Sequence, residues 1–259
     1  MASADGVTSA ARQNRVIRTG VVLPTFRPTP DDALAAAAAA VAAEVDGVFC
    51  YDHVWPMGQP ERPALAPFPL LGALASQFGP RTDRSGPFLG TLVARVGLVP
   101  NAVLKAEFVA LERLAPGRII AGIGTGDRLS AEENKAYGIP FSSAGERRAA
   151  LVALARDLVD AGIEVWVAGG PHGRGDEARA AGAALTLWDA PPALVAQRSS
   201  SLDPLVVTWA GPSPRSTADM GETVQALHHA GARWAVFGWP VDVDALARAG
   251  RAASAPRPP

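Results

Sequence analysis

Short apolar segments alternate with helical segments along almost the whole chain, and a new apolar segment begins roughly every 30 residues. Strands are predicted at 18–23, 47–51, 87–94, 118–123, 164–168, 184–188, 205–209 and 232–237. A helical segment follows each strand, and this alternation is typical of a parallel sheet. Eight such units in 259 residues predict an α/β fold, a compact single-domain (β/α)8 TIM barrel with few insertions. An open, doubly wound sheet is the competing architecture.

The domain limits follow from composition at the two ends of the chain. The barrel is predicted at 16–252, between a disordered tail at 1–15 and a Pro-rich tail at 253–259. The first tail lacks the apolar core of a signal peptide. The Ala-rich run at 33–43 is too short and too weakly apolar to span a bilayer.

The charge balance and the single cysteine limit the possible partners and location. The chain carries 24 basic and 25 acidic residues, so nothing in it indicates a nucleic-acid interface. Its one cysteine, Cys50, excludes an internal disulfide and fits a reducing compartment. We therefore expect a cytoplasmic protein with a small-molecule substrate and with neither a nucleic-acid nor a membrane partner.

The clearest site signal is the segment 118–127, with the sequence RIIAGIGTGD. An apolar strand here gives way to Gly124 and Gly126, and Asp127 follows at once. Glycines let the backbone turn sharply and let a flat group approach it closely. The pattern indicates a binding site, although Asp127 has a purely structural alternative as a cap for the next helix.

Other strand ends carry aromatic and polar side chains. In a TIM barrel the active site lies where the strands end and the βα loops begin. Four of the six tryptophans fall there, together with His53 and a few acids. They are Trp55, Trp188, Trp209 and Trp239. A glycine-rich mouth of this kind suits a planar cofactor better than a sugar or a metal, and the alternative for any one tryptophan is that it closes the barrel top.

Several of these motifs resemble the bacterial luciferase-like monooxygenase superfamily. In chain order they are GVVLP at 20–24, YDH at 51–53, GTLV at 90–93, the predicted helix 101–114 from Lys105 onward with the PGR at 116–118 that stops it, GIGTGD at 122–127 and WVAGG at 166–170. The Asp-His pair and the Gly-Thr-Gly-acid turn most resemble enzymes that use the deazaflavin coenzyme F420. The resemblance implies a (β/α)8 barrel that binds F420, with FMN as the alternative, and that can form a homodimer.

The resemblance also implies roles for individual residues. His53 matches a histidine that faces the redox ring and exchanges a proton with the substrate, and Asp52 contacts the cofactor or orients His53. Asp127 stands where deazaflavin enzymes often have a glutamate that acts as a general acid, but its side chain is shorter. His53 and Asp127 are the predicted catalytic residues. The predicted cofactor-binding residues are Asp52, His53, Thr91, Leu92, Val93, Thr125, Gly126, Ala168, Gly169 and Gly170.

Two parts of this cofactor site have distinct predicted functions. Leu92 and Val93 match a bulge, often with a non-proline cis peptide, that supports the back of the ring. Gly169 and Gly170 would bring backbone N–H groups to a cofactor phosphate, with added positive charge from Arg174 and His172. A tight turn is the alternative for each glycine.

The chain departs from the family pattern in two places. Relatives usually have a polar Arg-His/Asn-Pro group after the third strand, where this chain has GLVP at 97–100. The connection between the 144–161 helix and the fifth strand is short, whereas relatives carry an insertion that covers the site. We therefore expect an F420-dependent oxidoreductase that transfers a hydride to or from a small organic substrate. The alternatives are an FMN-dependent monooxygenase and a cofactor-binding barrel without turnover.

Other charged or glycine-rich motifs are assigned no role in the site. The GxGxG at 122–126 lacks the spacing of a dinucleotide fingerprint. His228 and His229 are adjacent on a helix and point apart, so no metal site is expected. Glu132 and Glu133 are predicted to be a solvated helix start.

Overall fold

Eight strands form one closed parallel barrel in sequential order in a computed structural model, which describes residues 16–56, 58–79, 86–169, 174–200 and 205–255. This confirms the TIM-barrel prediction and excludes the open sheet. The strands are β1 (Arg18–Val22), β2 (Gly47–Cys50), β3 (Phe88–Arg95), β4 (Ile119–Gly124), β5 (Glu164–Gly169), β6 (Ala184–Trp188), β7 (Val207–Gly211) and β8 (Trp234–Gly238).

Helices follow the strands around the outside of the barrel. In the described residues they are α1 (Asp31–Ala42), α2 (Pro67–Gln77), α3 (Asn101–Leu114), α4 (Ser130–Ala136), α5 (Ala144–Asp160), α6 (Gly175–Ala180), α7 (Pro192–Ser199), α8 (Thr217–His229) and α9 (Val243–Ser254). Among them, α4 was not predicted as a separate element, and α9 continues two residues into the predicted Pro-rich tail. Residues 1–15 and 256–259 lie outside the described part, so the tail predictions there stay predictions. None of the helices in the described ranges is long and apolar enough to cross a membrane.

Aromatic side chains fill the interior of the barrel below the strand ends. Phe49 stacks on Trp166 with ring centroids 5.2 Å apart and meets Trp234 edge-on at 5.8 Å. A Cβ atom on Gly20 would lie 2.8 Å from the Phe49 ring, so the missing side chain makes room for it. The filled interior leaves the carboxyl ends of the strands as the place for a cavity.

Strands β3 and β4 approach each other unusually closely. A Cβ atom on Gly122 would lie 2.1 Å from the backbone oxygen of Thr91. Just beyond this contact, the register of the two strands shifts between Thr91 and Ala94. The peptide bond between Leu92 and Val93 is cis. The predicted bulge at the end of the third strand is therefore present.

Candidate active site

A cavity of about 620 Å³ opens at the carboxyl ends of the strands. The predicted site residues that line it are Asp52, His53, Leu92, Val93, Thr125, Gly126, Asp127, Ala168 and Gly169. They come from the ends of β2, β3, β4 and β5 and from the loops that follow. The structure therefore brings His53 and Asp127 to the same rim, while the roles assigned to these residues remain predictions.

Two further predicted cofactor residues need separate comment. Thr91 is fully buried, does not line the cavity, and its hydroxyl donates a hydrogen bond of 2.6 Å to the backbone oxygen of Gly122. Thr91 therefore joins β3 to β4 in the barrel wall, and its contact with a cofactor stays a prediction. Gly170 lies outside the described residues, as does His172.

The turn after β4 has the sharp backbone that the glycine pattern predicted. Gly126 has a φ of 64°, and a Cβ atom there would lie 2.8 Å from the side chain of Arg95. One Asp127 oxygen accepts hydrogen bonds from the backbone N–H groups of Leu129 and Ser130, at 2.9 and 3.1 Å. The carboxylate thus caps the first turn of α4, as in the structural alternative, while the residue also lines the cavity.

A buried carboxylate that the sequence did not identify contacts the predicted catalytic histidine. Glu133 Oε1 lies 2.8 Å from Nδ1 of His53, and Glu133 Oε2 lies 3.0 Å from Nη2 of Arg95. The side chains of Glu133 and Arg95 are only 1% and 4% exposed, compared with 25% for His53. The prediction that Glu133 belongs to a solvated helix start is therefore wrong, although Glu132 is exposed.

The geometry of a helix explains this difference between neighbouring glutamates. Successive residues on α4 point about 100° apart, so Glu132 can face solvent while Glu133 faces the barrel. One feature of the sequence could have indicated a buried acid near the site. Arg95 ends the mostly apolar strand β3, and a buried arginine needs an acidic partner. Nothing in the sequence indicated which acid that partner is.

Asp52 stabilises the strand end rather than the histidine. Its Oδ2 atom accepts a hydrogen bond of 2.9 Å from the backbone N–H of Arg95. Burial raises the pKa of Asp52, and the bond from Arg95 and its positive charge oppose this effect. The ring nitrogen Nδ1 of His53 pairs with Glu133. Orientation of His53 is thus assigned to Glu133, and the cofactor contact of Asp52 stays a prediction.

Opposing effects act on the ionisation of the buried pair. Burial alone would raise the pKa of Glu133, but the hydrogen bond from His53 and the charges of His53 and Arg95 outweigh it, and the pKa is lowered. Burial also lowers the pKa of Arg95, against the attraction of Glu133 and Asp52. We therefore treat Glu133 as ionised and Arg95 as its compensating cation at neutral pH.

A buried arginine nitrogen lies at another side of the cavity. Arg174 lines the cavity, and its Nη1 atom is buried and has no hydrogen-bond partner among the residues that the structure describes. Burial lowers its pKa; the negative charge of Glu177 opposes this, and the positive charges of Arg148 and Arg147 add to it. A Cβ atom on Gly169 would lie 3.3 Å from the backbone nitrogen of Arg174, so the glycine keeps this backbone accessible. Buried donors and clustered positive charge of this kind are suited to an anion such as phosphate.

Aromatic side chains form a third side of the cavity. Phe26 stacks on Tyr51 with centroids 5.7 Å apart and planes within 8°, and Tyr51 meets Trp188 at 6.3 Å. Trp188 is 48% exposed, and burial raises the pKa of Tyr51 to about 12, so its hydroxyl stays neutral. This side offers apolar ring faces to a ligand.

Of the four tryptophans predicted at the rim, only Trp188 lines this cavity. Trp55 is buried and packs on Tyr137 with centroids 5.9 Å apart. Trp209 is also buried and donates a hydrogen bond of 2.8 Å to the backbone oxygen of Ala190. The closing role considered for single tryptophans therefore describes these two better than ligand contact does.

Comparisons with known proteins find relatives that are similar to part of the chain. No family model matches the chain. It is 35% identical over 169 residues to an F420-dependent glucose-6-phosphate dehydrogenase of Intrasporangium calvum, covering 65% of this chain and 47% of the relative. It is 32% identical over 203 residues to a protein of the same name from Beutenbergia cavernae, covering 76% of this chain and 52% of the relative. The chain thus spans about half the length of the curated relatives it matches.

A solved structure with a similar barrel is an F420-dependent secondary alcohol dehydrogenase in complex with an F420-acetone adduct. The two structures have a TM-score of 0.73 at 13% sequence identity, and the match covers 93% of this chain and 100% of the other. At this identity the likeness establishes the fold alone.

Proposed function

We propose that this chain is an F420-dependent oxidoreductase of the bacterial luciferase-like monooxygenase superfamily, because its motifs resemble that superfamily and parts of it are 32–35% identical to relatives named F420-dependent glucose-6-phosphate dehydrogenase. It would transfer a hydride between the deazaflavin and a small organic substrate. The observation that carries the proposal is a single cavity that joins His53, the β3 bulge and the buried Nη1 of Arg174, which bonds to none of the described residues. A redox ring, its phosphate and a proton-exchanging group need these three neighbours together.

The residues present fit a deazaflavin in this cavity. Leu92 and Val93 would support the back of the ring, and Thr125, Gly126 and Ala168 would lie beside it. Gly169 and Arg174 would hold the phosphate, because the glycine exposes backbone and the arginine has a buried donor that no group in the described ranges accepts from. When bound, the cofactor supplies the hydride chemistry, and the protein supplies binding and orientation.

His53 is the group that we propose to exchange the proton. Hydride transfer to or from a carbon–oxygen or carbon–carbon bond leaves a charge that a proton must balance. The Nε2 atom of His53 has no hydrogen bond to any described residue, whereas Nδ1 is occupied by Glu133. Asp127 is the second proposed proton group, although three donors from Leu129 and Ser130 already contact its Oδ1 atom.

Binding and turnover are tested separately. We expect the purified protein to bind F420 more tightly than FMN, measured by quenching of F420 fluorescence and by FMN absorbance. Arg174→Ala should weaken F420 binding about ten- to a hundredfold, because it removes a charge-assisted hydrogen bond. Arg179→Ala is the control, since that arginine lies on α6 in an exposed pair with Asp176.

Turnover is measured by stopped-flow change of F420 absorbance with a panel of alcohols, ketones and enones. His53→Ala should bind F420 but lose turnover. Binding of FMN in preference to F420 would favour the monooxygenase alternative. Tight binding of F420 without any turnover would favour the non-catalytic barrel.

Location and assembly form the remaining part of the proposal. We propose a cytoplasmic protein, because a single buried cysteine suits a reducing compartment. We also propose the homodimer that the family resemblance implies. Analytical ultracentrifugation of the purified chain measures its oligomeric state, and a monomer at micromolar concentration would contradict the homodimer.

A further inference from the structure

Glu133 contacts the predicted catalytic histidine without reaching the cavity itself. It is absent from the cavity lining, which includes His53 and Arg95. Its side chain is 1% exposed, and its Oε1 atom lies 2.8 Å from Nδ1 of His53. A carboxylate in this position acts on a ligand only through the side chains that it contacts, the imidazole of His53 and the guanidinium of Arg95.

The pairing determines which nitrogen of His53 carries a proton. An ionised carboxylate can only accept hydrogen bonds, so Nδ1 of His53 must donate. In the neutral ring Nε2 then has a free lone pair, and in the described part of the chain no group bonds to it. The ring therefore offers the cavity a hydrogen-bond acceptor.

An ion pair and a hydrogen bond hold the other oxygen of the carboxylate. Glu133 Oε2 lies 3.0 Å from Nη2 of Arg95, an ion-pair contact without hydrogen-bond geometry, and accepts a hydrogen bond of 3.4 Å from the backbone N–H of Val54. A guanidinium and a backbone N–H only donate hydrogen bonds. The side of the carboxylate that faces Arg95 must therefore always be an acceptor.

We propose that Glu133 is a positioning residue that fixes the Nδ1–H tautomer of His53 and directs the free Nε2 into the cavity. Its importance for turnover rests on the function proposed above, whereas its effect on the tautomer does not. Arg95 contributes to this positioning, because its ion pair with Glu133 holds the carboxylate in place and compensates its charge.

Glu133→Gln tests this proposal with almost no change in shape. The amide has one accepting oxygen and one donating nitrogen. Arg95 and Val54 can bind only the oxygen, so the NH2 group must face Nδ1 of His53. Nδ1 then has to accept, and the proton of the neutral ring moves to Nε2. The variant should thus reverse the tautomer.

The tautomer is measured by NMR on cofactor-free protein with 15N-labelled histidine. At pH 8.5, where an ordinary imidazole is neutral, the wild type should be protonated on Nδ1 and Glu133→Gln on Nε2. A His53→Asn spectrum assigns the signal among the four histidines. Glu132→Gln is the matched control and should keep the wild-type tautomer. The same tautomer in Glu133→Gln and wild type would overturn the proposal.

Kinetics give a second readout for a chain that turns over. Glu133→Gln should lower kcat about 10²- to 10⁴-fold, the usual contribution of a correctly placed general acid or base, with KM and F420 binding changed less than about threefold. An unchanged kcat would overturn the positioning role. If the wild type itself has no activity, the proposed function fails and the tautomer result alone decides the role of Glu133.

A second variant covers the case in which Glu133→Gln does not fold. The double variant Arg95→Met, Glu133→Leu removes both members of the buried ion pair together, and such replacements are generally tolerated. Without the carboxylate, His53 should show a mixture of both tautomers. A pure Nδ1–H form in this double variant would show that Glu133 does not set the tautomer.

Discussion

Removal of the Glu133 side chain should destabilise the fold more than any surface mutation. In Glu133→Ala the guanidinium of Arg95, which is 4% exposed, loses the carboxylate 3.0 Å from its Nη2 atom. Removal of one partner from a buried ion pair costs about 3–5 kcal/mol, because the remaining charge is left in a low-dielectric interior. Both side chains are almost fully buried, so solvent screening does not reduce this figure.

The loss is measured by urea denaturation followed by circular dichroism. In a thermal melt, each kcal/mol of lost unfolding free energy lowers the melting temperature of a chain of this size by roughly 2–4 °C. The melting temperature of Glu133→Ala should therefore fall by about 6–20 °C. Glu132→Ala is the control on the same helix, and its free energy of unfolding should change by less than about 0.5 kcal/mol.

A small effect would refute the reasoning. If Glu133→Ala lost less than about 1 kcal/mol, Arg95 would be hydrated or paired elsewhere, and Glu133 would not compensate its charge. The double variant Arg95→Met, Glu133→Leu adds a further check. It should recover most of the lost stability, because the charge of Arg95 is removed together with its partner Glu133, and failure to recover would indicate a packing defect instead.

Three further predictions follow from other parts of the molecule. Gly122→Ala should lower the free energy of unfolding by about 3 kcal/mol in urea denaturation, because its Cβ atom would lie 2.1 Å from the backbone oxygen of Thr91. The control is Gly221→Ala on α8, where a Cβ atom meets nothing within 4 Å, and its free energy of unfolding should rise by about 1 kcal/mol. The folded-state pKa of Glu133 is lowered, so its stabilising contribution is complete above an unfolded value of about 4.3 and is lost as the pH falls through the folded value. Urea midpoints between about pH 6 and pH 3 should therefore fall less steeply for Glu133→Gln than for wild type, and parallel curves would contradict this. Cys50 is fully buried with a raised pKa, so a thiol reagent at pH 8 should label it only after unfolding, and rapid native labelling would contradict its placement.

The barrel was predictable because each strand carries a local signal. The strand 184–188 and the helix 101–114 were predicted with the boundaries that β6 and α3 have. The remaining strands differ by up to two residues at either end, which is the usual uncertainty of strand ends. Apolar runs of five or six residues between glycines and prolines are short enough to be distinguished from helices. Their number then determined the architecture.

The network around His53 was not predictable because its partners are distant in sequence. His53 and Glu133 are 80 residues apart, and local polarity made Glu133 look like a solvated residue. The direction of a side chain on the two-turn helix α4 depends on how that helix packs, which periodicity cannot determine over seven residues. For Trp209, position near a strand end did not reveal which side of the sheet its ring faces. Long-range pairing and side-chain direction thus limited the site prediction more than the choice of residues did.

The carboxylate that holds the His53 ring belongs to α4, a helix of seven residues in a connecting segment rather than to a barrel strand. Local opening of α4 would withdraw Glu133 from both His53 and Arg95 in one event. Fluctuation of this connecting segment is therefore coupled to which nitrogen of the His53 imidazole carries the proton. A substitution anywhere in α4 that loosens its attachment to the barrel acts on the protonation site without touching it.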